Sequence, residues 1–149
     1  MQDKKTIPFV DDYLGALLAQ ASQLISSEFH KVVLRDGFSV NEWRVLASLY
    51  GIEEMSVGRL ADVSVIKQPT VTRLLYVLEK KGVVARVVGQ SDRRVTFVRI
   101  TPKGEKIIAL LIKQAQLYEQ RVLKPFGAAR AKELKILLRE IISQHRTAR

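Results

Sequence analysis

The stretch Lys67–Gly82, with the sequence KQPTVTRLLYVLEKKG, constrains the fold more than any other part of this chain. It predicts an α-helix that begins at Pro69, because a proline at the first helical position has its φ pre-set and lacks an N–H that would have no partner there. The residue before a proline avoids helical angles, so we expect Gln68 to lie outside the helix. Gly82 follows two lysines, a pattern typical of a helix end, where cations favour the negative end of the dipole.

The two halves of this helix differ in chemistry. The back half has apolar residues at helical spacing and predicts a buried face, whereas the front half is short and polar. Hydrogen-bonding side chains and an arginine at a helix N-terminus suit the base edges and phosphates of DNA. From this stretch alone, an ordinary amphipathic helix with a solvated polar face is an equal alternative. The apolar residues are Val71, Leu74, Leu75 and Leu78, and the polar ones are Gln68, Thr70, Thr72 and Arg73.

The charge of the chain points to a polyanionic partner. The formal net charge is +10, and residues 67–106 alone hold ten cations against three acids. Because most of the excess lies in this one segment, it indicates a basic surface that would attract nucleic acid. The alternative is a set of lysines and arginines that merely keep the surface solvated.

The composition bounds the class of protein. The chain has 149 residues, 47% of them hydrophobic, which is enough for one domain with its own core. It has no cysteine, which excludes disulfides, thiolate metal sites and thiol redox chemistry. No stretch approaches the roughly 20 apolar residues of a membrane helix, and the N-terminus does not resemble a signal peptide. We therefore expect a single cytoplasmic domain over residues 1–149 with no membrane partner.

An enzyme would need a constellation of reactive side chains. The chain has two histidines, His30 and His145, and the second lies in a basic tail. No paired carboxylates, glycine-rich phosphate loop or metal-ligand spacing can be recognised. We therefore expect no catalytic residues, no metal and no cofactor.

A short helix precedes the central stretch. Ser56 is a good N-cap for a helix over Ser56–Val63, and only a few residues then lead to Lys67. A short helix, a tight turn and a second helix with a polar leading end form the helix-turn-helix pattern. Ser64 and Val65 stand where such a turn usually has a glycine.

Two β-branched segments follow the central stretch. Residues 83–88 (VVARVV) and 95–100 (VTFVRI) flank a polar loop that begins with Gly89, which predicts a β-hairpin. A hairpin directly after a helix-turn-helix is a wing. Its loop holds Arg93 and Arg94, a pair suited to a narrow, negative minor groove. The alternative is a surface loop with two solvated arginines.

Helices are also predicted before and after this part of the chain. Apolar periodicity predicts one helix over Asp11–Leu34 and two more after Thr101, separated by Lys124–Gly127. Ser39 and Glu42 form a capping box for a further helix, Ser39–Tyr50. Its expected inner face consists of Val40, Trp43, Leu46, Ala47 and Tyr50.

We therefore predict a mainly α (α+β) fold. Residues 39–100 would form a winged helix-turn-helix lobe that binds DNA, and residues 8–36 and 101–146 would be helices that pack together as a dimerisation layer. The alternative is a monomer whose terminal helices simply cover the core.

These motifs resemble the MarR family of bacterial winged-helix regulators. The matching runs are RLADVSVIKQPTVTRLLYVLEKKGVVAR and DRRVTFVRITPKG, and SVNEWRVLASL fits the helix before them. The second run has the wing pattern of the family, with Asp92, Arg94, Thr101 and Gly104 at the expected spacing. The departure is Ser64-Val65, where many members have Leu-Gly, and it bears on the geometry of the turn.

The resemblance implies an obligate homodimer that binds a short pseudo-palindromic operator in double-stranded DNA. Such proteins usually repress a nearby gene, and a small molecule, often an anionic aromatic, usually weakens their binding. The two recognition helices would enter successive major grooves, and the wings would enter the flanking minor grooves. By position in the family's motifs, the residues that would face bases or phosphates are Gln68, Thr70, Thr72 and Arg73. Phosphates would also be held by Ser56 and Lys67. In the wing, Arg93 or Arg94 would reach the minor groove, and Asp92 would orient Arg94.

An effector would bind where the first two helices meet the DNA-binding lobe. An arginine beside a tryptophan suits an aromatic carboxylate, through charge and stacking. The alternative places Trp43 in the core and Arg44 in solvent. The candidate residues are Ser22, Ser26, His30, Trp43 and Arg44.

Two other functions compete with a ligand-responsive regulator. One is a winged-helix DNA-binding protein without an effector, whose binding no metabolite would relieve. The other is a basic helical module for a protein partner, which would bind duplex DNA only nonspecifically.

Overall fold

The computed structural model describes residues 6–147 and consists mainly of α-helices around a small antiparallel sheet, which confirms the predicted fold class. The chain divides into two compact units, Met1–Ile112 and Lys113–Arg149. In chain order the elements are α1 Phe9–Asp12, α2 Leu14–Arg35, α3 Val40–Leu49, β1 Met55–Ser56, α4 Val57–Ser64, α5 Gln68–Lys80, β2 Val84–Val88, β3 Thr96–Ile100, α6 Pro102–Leu123, a 3-10 turn Lys124–Phe126 and α7 Ala128–Thr147.

The core of the first unit is built around the back half of α5. Val71, Leu75 and Leu78 are almost fully buried, as their helical spacing predicts, and Leu74 is half-buried. Side chains from α2, α3, α4, the sheet and the start of α6 complete this core. Its other members buried to the same degree are Val33, Val45, Leu46, Leu49, Leu60, Val84, Val98, Ile108 and Leu111.

Helix α5 begins one residue earlier than predicted. Lys67, not Gln68, has the extended N-cap angles, with φ −61° and ψ 136°. The carbonyl oxygen of Lys67 accepts hydrogen bonds from the backbone N–H groups of Thr70 and Val71, at 3.0 and 3.1 Å. These bonds draw Gln68 into the first turn despite the steric preference of a residue before proline.

Helix α3 has the predicted capping box but a different inner face. The Ser39 hydroxyl accepts from the Glu42 backbone N–H at 3.1 Å, and the Glu42 carboxylate accepts from the Ser39 backbone N–H at 2.8 Å. The expected inner position of Tyr50 was wrong, since Tyr50 is exposed and ends the helix. Val45 and Leu49 take the buried positions instead, while Val40, Trp43 and Ala47 are half-buried.

The rotation of α3 follows from Glu42, which a hydrophobic pattern counts as solvent-facing. Glu42 lies on the buried face, and its side chain is only 12% exposed. Its Oε1 accepts a hydrogen bond from Lys81 Nζ at 2.8 Å, so the buried charge has a partner. The core-facing stripe is therefore Glu42, Val45, Leu46 and Leu49.

The predicted first helix is interrupted. Tyr13, with φ −84° and ψ 118°, separates α1 from α2. Its ring stacks on Phe9, with centroids 4.9 Å apart, and lies over Gly15, where an added Cβ would be 3.1 Å from Tyr13 Cε1. Of the apolar stripe on α2, only Phe29 and Val33 are buried within this chain.

The predicted hairpin is present as β2 and β3, with Val84 opposite Ile100 and Val88 opposite Thr96. A third strand, β1, was not predicted. Its two residues pair with the other edge of β3, so that the strand order is β1-β3-β2. A strand this short has no periodicity to detect.

The start of α6 is joined to the base of the hairpin through Thr101 and Gly104. The Thr101 hydroxyl donates to the Gly82 carbonyl at 2.6 Å and accepts from the Gly104 backbone N–H at 3.1 Å. A Cβ on Gly104 would lie 2.2 Å from the Val83 carbonyl oxygen, so only glycine fits. This contact explains why the threonine and the glycine are three residues apart.

The helix-turn-helix forms although its turn lacks glycine. Val65 adopts the left-handed conformation, with φ 56° and ψ 46°, and its side chain is 80% exposed. The Ile66 backbone N–H donates to the Ala61 carbonyl at 3.1 Å, which closes the end of α4. A β-branched residue in this conformation is strained.

Replacing Val65 with glycine should therefore stabilise the fold. Relief of the left-handed strain outweighs the entropy of the added glycine, so we expect a gain of about 1 kcal/mol. In thermal unfolding followed by circular dichroism, this corresponds to a rise in Tm of roughly 2–4 °C. Val63→Gly, which places glycine inside α4, is the control and should lower the Tm. An unchanged or lower Tm for Val65→Gly would contradict the strain.

The buried Glu42 should make stability depend on pH. Burial raises the pKa of Glu42, but hydrogen bonds from Lys81 and the Ser39 backbone outweigh it, so the pKa lies below the ordinary value of 4.5. A lowered pKa in the folded state gives stability that is present above the ordinary value and is lost as the pH falls through the lowered one.

We expect Glu42→Gln to remove this part of the acid sensitivity. The free energy of unfolding would be measured by urea denaturation between about pH 7 and pH 3. Glu105→Gln, at an exposed glutamate of α6, should leave the pH dependence almost unchanged. Parallel pH profiles for wild type and Glu42→Gln would show that Glu42 is not the responsible group.

Candidate nucleic-acid interface

A groove of about 450 Å³ runs between the front of α5 and the wing. Its wall combines polar side chains from the start of α4, from α5 and from the hairpin, so the recognition helix and the wing share one surface. The polar members are Ser56, Gln68, Thr72, Arg86, Arg94 and Thr96.

The front of α5 presents the side chains that the sequence predicted to face DNA. Gln68 and Arg73 are exposed, and Thr70 and Thr72 are half-buried at the edge of the core. Lys67 is exposed at the N-cap position. This end of α5 also carries the positive end of the helix dipole, so it suits an anion such as a phosphate.

Ser56 lies beside the front of α5 in the same groove. Its hydroxyl accepts a hydrogen bond from the Arg59 backbone N–H at 3.2 Å, which fixes it as the N-cap of α4. The hydroxyl hydrogen can still be donated, and a phosphate oxygen is a suitable acceptor. Gly58 of α4 lies beside Gln68 of α5, since a Cβ on it would be in ordinary contact with Gln68 Oε1, at 3.8 Å.

The tip of the wing is a tight loop held by main-chain hydrogen bonds. The Gly89 N–H donates to the Val95 carbonyl at 2.8 Å, and the Val95 N–H donates to the Asp92 carbonyl at 3.1 Å. Gly89 is buried, and a Cβ on it would lie 2.6 Å from the Asp92 carbonyl oxygen. The loop therefore depends on glycine at this position.

Asp92 contacts the main chain of the loop. Its Oδ1 accepts a hydrogen bond from the Arg94 backbone N–H at 2.9 Å. The contact is with the main chain of Arg94, and that Asp92 orients the Arg94 side chain stays a prediction. Arg93 and Arg94 are both exposed, and Arg94 belongs to the groove wall.

Arg86 also belongs to this surface, although in the sequence it is only one of the ten cations of residues 67–106. Its Nε donates to Glu79 Oε2 at 2.8 Å, and its guanidinium carbon lies 4.0 Å from the centroid of the Tyr76 ring. Hydrogen bonding to Tyr76 raises the pKa of Arg86, and Glu79 adds to this effect against an opposing effect of burial. An acid seven residues before an arginine is too common a pattern to have revealed the contact.

The candidate effector residues lie on α2 and α3 of the first unit. Ser26, His30, Trp43 and Arg44 are all half-buried, whereas Ser22 is exposed. The Trp43 ring packs against Phe29, with centroids 5.2 Å apart and planes tilted by 58°. Burial lowers the pKa of His30, and the positive charge of Arg44 lowers it further.

Among the described residues, no group of three or more histidine, aspartate or glutamate side chains could hold a metal ion. Within residues 6–147, none of the helices has the length and apolar character needed to cross a lipid bilayer.

Comparisons with known proteins identify the family. The sequence model described as "MarR family" matches residues 38–96. The uncharacterized HTH-type transcriptional regulator YsmB of Bacillus subtilis is 32% identical over 114 residues, which is 76% of this chain and 73% of that protein. The homoprotocatechuate degradative operon repressor of Escherichia coli is 26% identical over 132 residues, or 89% of each chain.

Solved structures agree with these sequence matches. The MarR family transcriptional regulator SPO1453 from Silicibacter pomeroyi superposes with a TM-score of 0.77 at 36% identity, covering 91% of this chain and 98% of that one. The matched relatives are transcriptional regulators and not enzymes. Together with the winged helix-turn-helix and its basic groove, these matches show that the chain belongs to the MarR family of DNA-binding transcriptional regulators.

Proposed function

We propose that this protein is a ligand-responsive repressor that binds a pseudo-palindromic operator as a homodimer. The observation that carries the proposal is the shared groove, in which Gln68 and Thr72 of α5 face the same space as Arg94 of the wing. A helix and a hairpin on one basic surface match a major groove and the adjacent minor groove.

The proposed contacts divide by chemistry. Gln68, Thr70, Thr72 and Arg73 read base edges or nearby phosphates from the front of α5. Ser56 and Lys67 hold phosphates and set the register of the helix. Arg93 or Arg94 enters the minor groove, and Asp92 holds the loop that presents them.

A second copy of the chain is the proposed cover for the exposed apolar faces. Large apolar side chains on α2 that fit no buried position include Leu14, Leu17, Leu18, Leu24 and Ile25, and α7 exposes Leu134, Leu137 and Ile142. Helices that expose this many large apolar side chains are typical of interfaces. A two-fold dimer also places two recognition helices on the two halves of a palindromic site.

An aromatic acid is the proposed effector class. Among the candidate residues on α2 and α3, the Arg44 guanidinium would hold a carboxylate and the Trp43 indole would stack on a ring. Ser26 and His30 would bind the polar substituents of that ring. Support comes from the name of the relative in Escherichia coli, which represses an operon for the degradation of homoprotocatechuate, an aromatic acid. The effector-independent regulator is the competing proposal, and titration with ligand separates the two.

Arg73→Ala tests the base-reading role of α5. The operator would first be isolated by selecting tight binders from random duplexes, and its two half-sites should have centres about one helical turn, roughly 34 Å, apart. If Arg73 reads a base, its loss should cost about 1–3 kcal/mol of binding and relax the preference at one position in each half-site. Arg99→Ala removes the same charge from an exposed position on β3 and is the control. A uniform loss on all sequences would instead assign Arg73 to a phosphate.

Titration of the operator complex with homoprotocatechuate and related aromatic acids tests the effector. We expect at least one acid to release the wild-type protein, and Arg44→Ala to bind the operator normally while needing more than about tenfold more acid. Fluorescence anisotropy of labelled operator would follow the release. Benzylamine-type compounds, which lack the carboxylate, are the control ligands. Release of wild type and Arg44→Ala at equal concentrations would exclude the proposed site, and no release by any acid would favour the effector-independent regulator.

A further inference from the structure

Three side chains connect the recognition helix to the wing outside the polypeptide turn between them. Tyr76 and Glu79 lie three residues apart on α5, and both meet Arg86, which lies in the middle of β2. Arg86 donates to Glu79 at 2.8 Å and places its guanidinium 4.0 Å from the Tyr76 ring centroid. We name the set of Tyr76, Glu79 and Arg86 the helix–wing brace.

The brace holds a defined orientation and does not merely join charges. The guanidinium is planar, so a hydrogen bond from Nε on one side and the face of the Tyr76 ring 4.0 Å away restrict how it can turn. Its side chains are partly shielded, with 27% exposure for Arg86 and 39% for Glu79. An ion pair this exposed adds little to the free energy of unfolding, so its role must be other than stabilising the fold.

The brace lies where a small change in the angle of β2 would move the tip of the wing. Strand β2 runs from Val84 to Val88 and ends at the loop that carries the wing arginines. Five residues of strand span roughly 16 Å, so a rotation of about 10° at the base would move the tip by roughly 3 Å. That distance is the full length of a hydrogen bond, enough to take Arg94 out of reach of a minor-groove acceptor.

The negative charge of Glu79 also supports a role in orienting the wing. An acid beside a DNA-binding groove repels phosphates and, by electrostatics alone, weakens binding. Glu79 lies next to Arg86 and Tyr76, and both of these residues line the groove. The presence of Glu79 beside the groove is explained if its effect on the orientation of Arg86 strengthens DNA binding more than its negative charge weakens it.

We propose that the helix–wing brace sets the angle between α5 and the wing, so that Arg94 reaches the minor groove while α5 lies in the major groove. Glu79 and Arg86 are then positioning residues for specific DNA binding. This inference rests on the proposed function only in that both elements contact one operator.

Glu79→Gln separates positioning from charge. Removal of an acid should tighten binding if only electrostatics matter, whereas loss of the brace should weaken binding to the operator about tenfold. Hydroxyl-radical protection of the deoxyriboses at the flanking minor grooves should fade, while protection of guanine N7 from dimethyl sulfate in the central major grooves persists. The slope of log affinity against log salt should fall by about 0.9 for each phosphate contact that the wing loses. Glu105→Gln makes the same change of charge outside the groove and should show none of these effects.

Arg86→Lys tests the shape of the cation. Lysine keeps the positive charge in the groove but lacks the planar group that meets Glu79 and Tyr76 together. The brace predicts that Arg86→Lys loses flanking protection as Glu79→Gln does, and that the double variant loses no more affinity than either single variant. If Arg86 only supplies charge, Arg86→Lys should bind and protect DNA like the wild type.

The outcomes distinguish the two proposals. Specific binding by the wild type, with flanking protection unchanged in Glu79→Gln and Arg86→Lys, would overturn the brace and leave the proposed function standing. A wild type without sequence-specific duplex binding would overturn both. The Tm and the fraction of active protein are measured for each variant, and should Glu79→Gln fail to fold, Arg86→Lys alone decides between positioning and charge.

Discussion

The structure depends on one helix being buried and exposed at once. The back half of α5 is fixed by Val71, Leu75 and Leu78, which sit in the middle of the core, so the front half is held rigidly at the surface. A recognition helix gains precision from such an anchor, because its polar side chains cannot shift unless packed side chains shift with them. Helices α2, α3 and α4, the sheet and the start of α6 complete this core, and the start of α4 and the hairpin extend the surface that α5 begins.

Hydrogen bonds between distant segments bring the wing onto that surface. Thr101 ties the start of α6 to the end of α5, and Gly104 lies so close to Val83 that no larger residue fits at its position. Strand β1 adds a third strand to the hairpin and leads directly into α4. The helix-turn-helix and the wing are thus parts of one packed body, which is why a single groove can contain residues from all of them.

Local signals predicted most of this architecture. The proline-started α5, the capping box of α3 and the hairpin are each determined within a few residues, so their patterns can be read in isolation. The orientation of α3 depends on the hydrogen bond between Glu42 and Lys81, 39 residues away. Such contacts exist only in the folded chain, and no hydrophobic pattern encodes them.

The candidate site divides in the same way. Gln68, Thr72 and Arg94 were recognised by position, and the structure places all three around one groove. The contribution of Arg86 could not be predicted, because it depends on how a strand crosses the end of a helix. The dimer, the base contacts and the effector stay predictions, since each involves a molecule other than this single chain.

The valine in the turn before α5 has a consequence for the evolution of the protein. Codons for valine and glycine differ only at their second base, so a relaxed turn is always within reach of one point mutation. A chain that keeps Val65 in a left-handed conformation is therefore less stable than a single substitution could make it. In a descendant that acquires a useful but destabilising change elsewhere, replacement of Val65 by glycine would offset part of the lost stability without altering any residue of the groove.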